Sequence, residues 1–209
     1  MTAPRRHLSM LRSYTAADAL TIGNASCGTI AMFLCLDYIA SDNRKFLWVA
    51  FLLLPLALIF DVLDGYVARA QTHRQSLLGA DLDSLSDVIS FGVAPALLGF
   101  TLGLRGGWDM LCLTYFVVCG VSRLARFNVT AAALADPASG KVKYFEGTPI
   151  PTSILIVLLL GAAFQLGRIE GDLWFGMYRI GPATLHPLAL VYVLSGSAMI
   201  SATLRIPKP

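Results

Sequence analysis

The chain has 209 residues, of which 56% are hydrophobic and only 14% are charged. Soluble domains carry about a quarter charged residues, so this composition excludes a water-soluble globule, and its high apolar content excludes a disordered chain. The net charge of +3 comes from scattered basic residues, which argues against nucleic-acid binding. The composition therefore predicts an integral membrane protein.

Six apolar stretches approach or exceed the ~20 residues that a helix needs to cross a bilayer. They cover residues 19–40, 46–68, 79–103, 108–127, 149–167 and 183–204. The sequence therefore predicts an all-α, multi-pass membrane protein with six transmembrane helices. We expect residues 1–18 to form a short basic N-terminus and residues 19–209 to form a single six-helix transmembrane domain.

The basic residues are divided unequally between the two ends of these stretches. One end, with the chain termini, has eleven: Arg5, Arg6, Arg12, Arg69, Arg74, Arg123, Arg126, Lys141, Lys143, Arg205 and Lys208. The other has five: Arg44, Lys45, Arg105, Arg168 and Arg179. Because Lys and Arg in short loops favour the cytoplasmic side, both termini and the junctions after the second and fourth stretches are predicted to be cytoplasmic.

Acidic residues are concentrated where the second stretch ends and the third begins. On a helix, Asp61 and Asp64 share one face, and Asp83 and Asp87 share another. Since both helix ends are predicted on the cytoplasmic side, the four carboxylates are expected to converge there. Asp81 lies off the shared face and is interpreted as a charge at the rim.

Clustered carboxylates at membrane depth require a cation to offset their repulsion. Oxygen ligands favour Mg²⁺, Mn²⁺ or Ca²⁺ over zinc. Two such ions ~4 Å apart would suit an in-line displacement at phosphorus. Gly65, Ala68 and Gly79 would let a phosphate group approach the backbone, and Arg69 would bind a phosphate oxygen.

The pattern D-x2-D-G-x2-A-R-x9-G-x3-D-x3-D, from Asp61 to Asp87, resembles the signature of the CDP-alcohol phosphatidyltransferase family. The resemblance implies a six-helix, usually homodimeric enzyme that displaces CMP from a CDP-linked lipid or alcohol. It implies a divalent metal pair held by Asp61, Asp64, Asp83 and Asp87, with Asp87 deprotonating the acceptor hydroxyl. It also places the CDP group beside Asp64, Gly65, Ala68, Arg69 and Gly79.

Two further segments bear on the acceptor: Ser122 to Asn128 (S-R-L-A-R-F-N) and Tyr144 to Ser153 (Y-F-E-G-T-P-I-P-T-S). Arginines beside a carboxylate-rich site suggest an anionic acceptor, although they could equally anchor a span end. Both segments resemble the yeast-type phosphatidylserine synthases, a branch of that family. This resemblance implies CDP-diacylglycerol and L-serine as substrates, with Arg123, Arg126 and Phe127 lining the serine site.

Several alternatives remain open at this point. Glycerol 3-phosphate or inositol phosphate as acceptor would use the same arginines to bind phosphate. A divalent-cation transporter would also carry intramembrane carboxylates, but here the acids cluster at one membrane face, with no comparable charge leading to the other side. Asn24, in the first stretch, is expected either to bind the CDP group or to make an interhelical contact. The resemblance favours the endoplasmic reticulum membrane, whereas a bacterial source would imply the plasma membrane.

Overall fold

The structure is a computed structural model that describes residues 15–70, 77–134, 144–201, 203 and 205–207. Most of the predicted basic N-terminus, residues 1–14, lies outside the described residues. Parts of the two predicted cytoplasmic junctions, residues 71–76 and 135–143, also lie outside the described residues, and with them Arg74, Lys141 and Lys143.

The described residues form seven α-helices, two short strand pairs and three 3₁₀ turns. The helices are α1 (Ala16–Ser41), α2 (Arg44–Ala70), α3 (Leu77–Asp87), α4 (Ala94–Thr101), α5 (Gly107–Leu134), α6 (Ile154–Gln165) and α7 (Leu190–Ile200). The strands are β1 (Tyr144–Glu146), β2 (Tyr178–Ile180), β3 (Ala183–Leu185) and β4 (Arg205–Pro207). Strand β1 pairs antiparallel with β4, and β2 pairs antiparallel with β3.

Helices α1 and α2 pack along each other as an antiparallel pair. A capping box starts α1: the Asp18 amide donates to Thr15 Oγ1 over 3.3 Å, and the Thr15 amide donates to Asp18 Oδ2 over 2.7 Å. Asp42, in the left-handed region at φ 53°, ends α1 and turns the chain into α2. The first turns of α1 therefore lie beside the last turns of α2.

The third predicted span is interrupted. A π-helical turn, Val88–Val93, joins α3 to α4. Pro95, at the second position of α4, lacks an amide hydrogen and disfavours an uninterrupted α-helical hydrogen-bond ladder through this point. The widened turn rotates α3 relative to α4, so the carboxylates of α3 and the apolar core positions of α4 do not follow one continuous helical register.

Four helical segments in the described residues are long and apolar enough to cross a membrane: Ala16–Ser41, Arg44–Arg69, Gly79–Thr101, which runs through α3, the π-helical turn and α4, and Gly107–Val129. The apolar helices Ile150–Gln165 and Pro187–Ile200 are shorter. Large apolar side chains on the long helices face outward, among them Phe33, Leu52 and Val118. This exterior is expected of an all-α protein in contact with lipid.

The start of the sixth predicted span, at residue 183, is wrong. Residues Ala183–Leu185 form β3, which a tight turn with Gly181 at φ 62° connects to β2. A glycine tolerates this left-handed conformation, and Pro182 directly after it cannot donate a backbone hydrogen bond. The hairpin therefore replaces the first turn of the predicted helix.

Polar contacts close the end of the helices opposite to the start of α1. Arg44, at the start of α2, donates from Nη2 to the Phe164 carbonyl over 2.8 Å and stacks over the Phe164 ring. Asp109, near the start of α5, accepts from the His186 amide over 2.7 Å. The other end, where α1 begins and α2 ends, carries the acidic residues.

Candidate active site

Three carboxylates from two helices meet at the end where α1 begins. One oxygen each of Asp61, Asp83 and Asp87 lies within 4.8 Å of the other two. Asp61 lies near the end of α2, while Asp83 and Asp87 are one turn apart on α3. Asp87 is buried and the other two are half-buried. We call these residues the three-carboxylate cluster.

The residues of this cluster fit a hard divalent cation. Oδ1 of Asp83 is buried and has no hydrogen-bond partner in the described part of the chain. An unpartnered carboxylate oxygen is costly at this depth unless a cation binds it. Oxygen donors at this spacing are the ligands that Mg²⁺ and Mn²⁺ prefer.

Asp64, the fourth predicted ligand, is not among the three carboxylates within 4.8 Å of one another, but it lies close enough to all three for an electrostatic interaction. Its side chain is buried, and the Thr21 hydroxyl of α1 donates to its Oδ2 over 2.6 Å. Thr21 Oγ1 also lies 3.1 Å from the Ala17 carbonyl, but its single hydrogen favours the shorter contact with a charged acceptor. The structure thus gathers three of the four predicted carboxylates and pairs the fourth with a hydroxyl.

Asn24 lies one helical turn beyond Thr21 and contacts the cluster itself. Its Nδ2 donates to Asp87 Oδ1 over 3.3 Å, and its own Oδ1 is buried without a partner among the described residues. The interhelical contact expected of Asn24 is therefore present. Thr21 and Asn24, three residues apart on α1, share a helix face, but their partners lie on other helices and were identified only in the structure.

The residues predicted to surround the CDP group lie around the end of α2. A Cβ atom at Gly65 would meet nothing within 4 Å, so this side of α2 is open. Ala68 and Arg69 are exposed, and Gly79, at the start of α3, is half-buried. Accessible small residues next to the carboxylates leave room for a bulky ligand.

The residues predicted to bind serine lie near the end of α5. Arg123 is half-buried, its buried Nε has no hydrogen-bond partner in the described residues, and it is close enough to Asp87 for an electrostatic interaction. The guanidinium carbon lies 5.7 Å from the centroid of the Phe127 ring. Arg126 is exposed. The structure therefore places Arg123 with the cluster and Phe127 next to Arg123.

A pair of hydrogen bonds that the sequence did not predict fixes α5 against α3. Ser84 Oγ and Asn128 Oδ1 lie 3.2 Å apart, and Asn128 Nδ2 lies 3.0 Å from Ser84 Oγ. Ser84 follows Asp83 directly, and Asn128 follows Phe127 directly. The contact holds the arginine-bearing end of α5 at the level of the carboxylates.

Comparisons with known proteins match this chain to one enzyme family. A family model described as CDP-alcohol phosphatidyltransferase matches residues 14–195. CDP-diacylglycerol–serine O-phosphatidyltransferase of Saccharomyces cerevisiae is 41% identical over 100% of this chain and 76% of its own length. Archaetidylserine synthase of Methanothermobacter thermautotrophicus is 39% identical over 84% of this chain and 68% of its own length. No solved structure gives a significant match.

Proposed function

The chain belongs to the CDP-alcohol phosphatidyltransferase family, and from this premise we propose that it transfers the phosphatidyl group of CDP-diacylglycerol to the hydroxyl of L-serine. The products are phosphatidylserine and CMP. The observation that carries the proposal is the three-carboxylate cluster facing Arg123, whose buried Nε has no partner among the described residues. The similarity of the whole chain to the yeast CDP-diacylglycerol–serine O-phosphatidyltransferase supports serine as the acceptor.

The metal ligands of the proposal are the residues of the three-carboxylate cluster, with Asp64 at their margin as the fourth ligand of a metal pair. The ion is Mg²⁺ or Mn²⁺, and Ca²⁺ is able to occupy the same oxygen ligands. When bound, the ions stabilise the negative charge that develops on the departing CMP phosphate.

Asp87 is proposed as the general base. Its carboxylate accepts the proton of the serine hydroxyl as the serine oxygen forms a bond to the phosphorus that bears diacylglycerol. The bond from that phosphorus to the oxygen of CMP breaks, and CMP leaves with that oxygen. The Asn24 amide, which donates to Asp87 Oδ1, holds the carboxylate in one orientation.

The two substrates are proposed to approach from different sides of the cluster. The CDP group lies along the open end of α2, beside Asp64, Gly65, Ala68, Arg69 and Gly79, and reaches toward Asn24. Serine enters near the end of α5. Its carboxylate pairs with the guanidinium groups of Arg123 and Arg126, next to the Phe127 ring, because a planar guanidinium binds a carboxylate through two parallel hydrogen bonds.

The proposed setting is a single transmembrane domain of residues 19–209 with six spans, the two shorter apolar helices completing the six. Both termini and the active site face the cytoplasm, as the distribution of Lys and Arg suggests. The assembly is a homodimer, and the membrane is the endoplasmic reticulum in a eukaryote or the plasma membrane in a bacterium, as the family resemblance implies.

CMP release by the purified protein tests the proposal. The protein receives CDP-diacylglycerol and Mn²⁺ or Mg²⁺, with and without L-serine, and mass spectrometry identifies the lipid product. We expect CMP release that needs both metal and serine, with phosphatidylserine as the product. CMP release that does not depend on serine but increases with glycerol 3-phosphate or inositol phosphate would show that this compound, and not serine, is the acceptor.

Asp87→Asn tests the proposed base, with Asp81→Asn as its matched control. Asp81 lies on the same helix but is exposed and outside the three-carboxylate cluster. We expect D87N to lower turnover about 100-fold or more, because general-base catalysis contributes roughly 10²–10⁴-fold, and D81N to stay near wild type. A folded, membrane-inserted D87N protein with near-normal turnover would contradict the mechanism.

A further inference from the structure

The π-helical turn after Asp87 makes a specific contact with α1. Ser90 lies inside this turn, fully buried, and its hydroxyl donates to the main-chain carbonyl of Asn24 over 2.9 Å. Asn24 is also fully buried. A buried hydrogen bond between a side chain and a helix backbone favours one height and rotation of one helix against the other, because moving either would leave the Ser90 hydroxyl buried without a partner.

Gly28 allows the two segments to approach this closely. A Cβ atom at residue 28 would lie 2.5 Å from Ser90 Oγ and 2.8 Å from Ser90 Cα. The second distance involves backbone, so a side chain at this position could not be accommodated by a rotamer change alone. The backbones of α1 and the π-helical turn are therefore in direct contact at Gly28 and Ser90.

The contact between Ser90 and Asn24 is linked back to Asp87 through the Asn24 side chain. Asp87 precedes Ser90 by three residues on the same segment, Ser90 binds the backbone of Asn24, and the Asn24 side chain donates to Asp87 Oδ1 over 3.3 Å. The position of the Asn24 amide relative to Asp87 thus depends on where Ser90 holds α1. The mechanism proposed above uses Asp87 and Asn24 but assigns nothing to Ser90 or Gly28.

We propose that Ser90, seated against Gly28, is a positioning residue that orients the Asp87 carboxylate through Asn24. The inference rests on the proposed function, because it assigns to Asp87 a role in metal binding. Groups that orient metal ligands typically change metal affinity or activity by about 10–100-fold when removed. Ser90 acts on the ligand through a neighbour, so its removal is expected at the lower end of this range.

Mn²⁺ binding without substrates tests the proposal independently of turnover. Electron paramagnetic resonance of free Mn²⁺ gives the dissociation constant of the purified protein and of its Ser90→Ala variant. We expect S90A to fold, since the Asn24 carbonyl keeps its position in the α1 backbone ladder, and to bind Mn²⁺ about 10-fold more weakly. Thr29→Val is the matched control, because the Thr29 hydroxyl donates only within its own helix, to the Ala25 carbonyl over 2.8 Å.

A double-mutant cycle with Asn24→Ala separates positioning from a general packing effect. If Ser90 acts through Asn24, S90A has no further effect on Mn²⁺ affinity once Asn24 is truncated. Effects of S90A and N24A that multiply would overturn the proposed route. If wild type binds Mn²⁺ and S90A binds it with the same affinity, the inference about Ser90 is overturned and the metal centre stands. If wild type binds no Mn²⁺, the metal centre and the inference are overturned together.

Gly28→Ala supplies a second variant, with Gly161→Ala as its control. A Cβ at Gly161 would lie 3.5 Å from the Phe51 ring, an ordinary contact remote from the cluster. We expect G28A, but not G161A, to weaken Mn²⁺ binding by at least as much as S90A, because the added methyl group pushes the π-helical turn away from α1. A folded G28A protein with wild-type Mn²⁺ affinity would contradict the proposed contact.

Discussion

Thr21 is the hydrogen-bond partner of Asp64, the aspartate of the signature that is not part of the three-carboxylate cluster. Asp64 is only 6% exposed, and the 2.6 Å hydrogen bond from the Thr21 hydroxyl solvates its carboxylate. Hydrogen bonds to charged groups contribute about 1.5–3 kcal/mol. The Thr21 hydroxyl therefore holds Asp64 in place for the ligand role proposed for it.

Thr21→Val tests this contact, because valine keeps the shape of threonine and removes the hydroxyl. We expect turnover to fall about 10-fold and the dependence on Mn²⁺ to shift to higher concentration, since the orienting partner of a metal ligand is lost. Thr21→Ser keeps the donor and should retain most of the activity. Equal activity of T21V and wild type at limiting Mn²⁺ would show that the hydroxyl does not support Asp64.

Some residues of the site could be predicted from the sequence, and others could not. The spacing of the aspartates and the predicted cytoplasmic placement of both helix ends led us to expect four converging carboxylates, of which three form the cluster. Their partners were not predictable, since Thr21 is 43 residues from Asp64 and Asn24 is 63 residues from Asp87. Such pairs depend on how helices pack, which no local pattern encodes.

At the scale of helices, the irregular segments account for the differences from the sequence prediction. The apolar run of residues 79–103 gave no sign of the π-helical turn except Pro95, which indicates a break without specifying its type. The last two predicted spans are shorter helices because 3₁₀ turns and the hairpin of β2 and β3 take their first residues. Hydrophobicity predicts which segments enter the bilayer, whereas the hydrogen bonds of the 3₁₀ turns and of the hairpin determine where each helix begins.

Asp109 connects the start of α5 to the segment that follows β3. Its carboxylate accepts from the Gly106 amide over 2.8 Å and from the His186 amide over 2.7 Å, and it lies 2.6 Å from His186 Nδ1. Asp109 is fully buried. Removing its side chain would leave two backbone amides and an imidazole without their acceptor.

Asp109→Ala is therefore expected to destabilise the protein by about 3 kcal/mol, the upper end of the cost of buried unsatisfied groups. Turnover below the unfolding temperature should stay close to wild type, because Asp109 lies about 21 Å along α5 from Arg123 at 1.5 Å per residue. Thermal unfolding followed by tryptophan fluorescence measures the change, and Asp172→Ala, at an exposed acid, is the control. Wild-type stability of D109A, or lost activity at unchanged stability, would contradict this assignment.

At the scale of the whole molecule, the carboxylates and the contacts of Arg44 and Asp109 lie at opposite ends of the helices. The carboxylates, Asn24 and Arg123 lie where α1 begins, while the contacts of Arg44 and Asp109 close the other end. At the carboxylate end, the open side of α2 at Gly65 and the exposed Ala68 and Arg69 leave access for a nucleotide and an amino acid. The proposed orientation places this accessible end in the cytoplasm.

Cysteine labelling tests both the orientation and the number of spans. Val129→Cys places an exposed thiol near the active-site end of α5, and Asp172→Cys places one between α6 and α7. Three native cysteines are buried and Cys112 is half-buried, so their background labelling should be low. If α6 and α7 both cross the bilayer, the two introduced thiols face opposite sides.

In sealed vesicles that keep the cytoplasmic side inside, a membrane-impermeant maleimide should label D172C directly and V129C only after permeabilisation. The expectation follows from the excess of Lys and Arg at the active-site end, which favours retention in the cytoplasm. Labelling of V129C but not D172C in sealed vesicles would reverse the proposed orientation. Labelling of V129C and D172C from the same side would show that α6 and α7 do not span the bilayer. The segment between α6 and α7 would then lie on the same side as the end of α5.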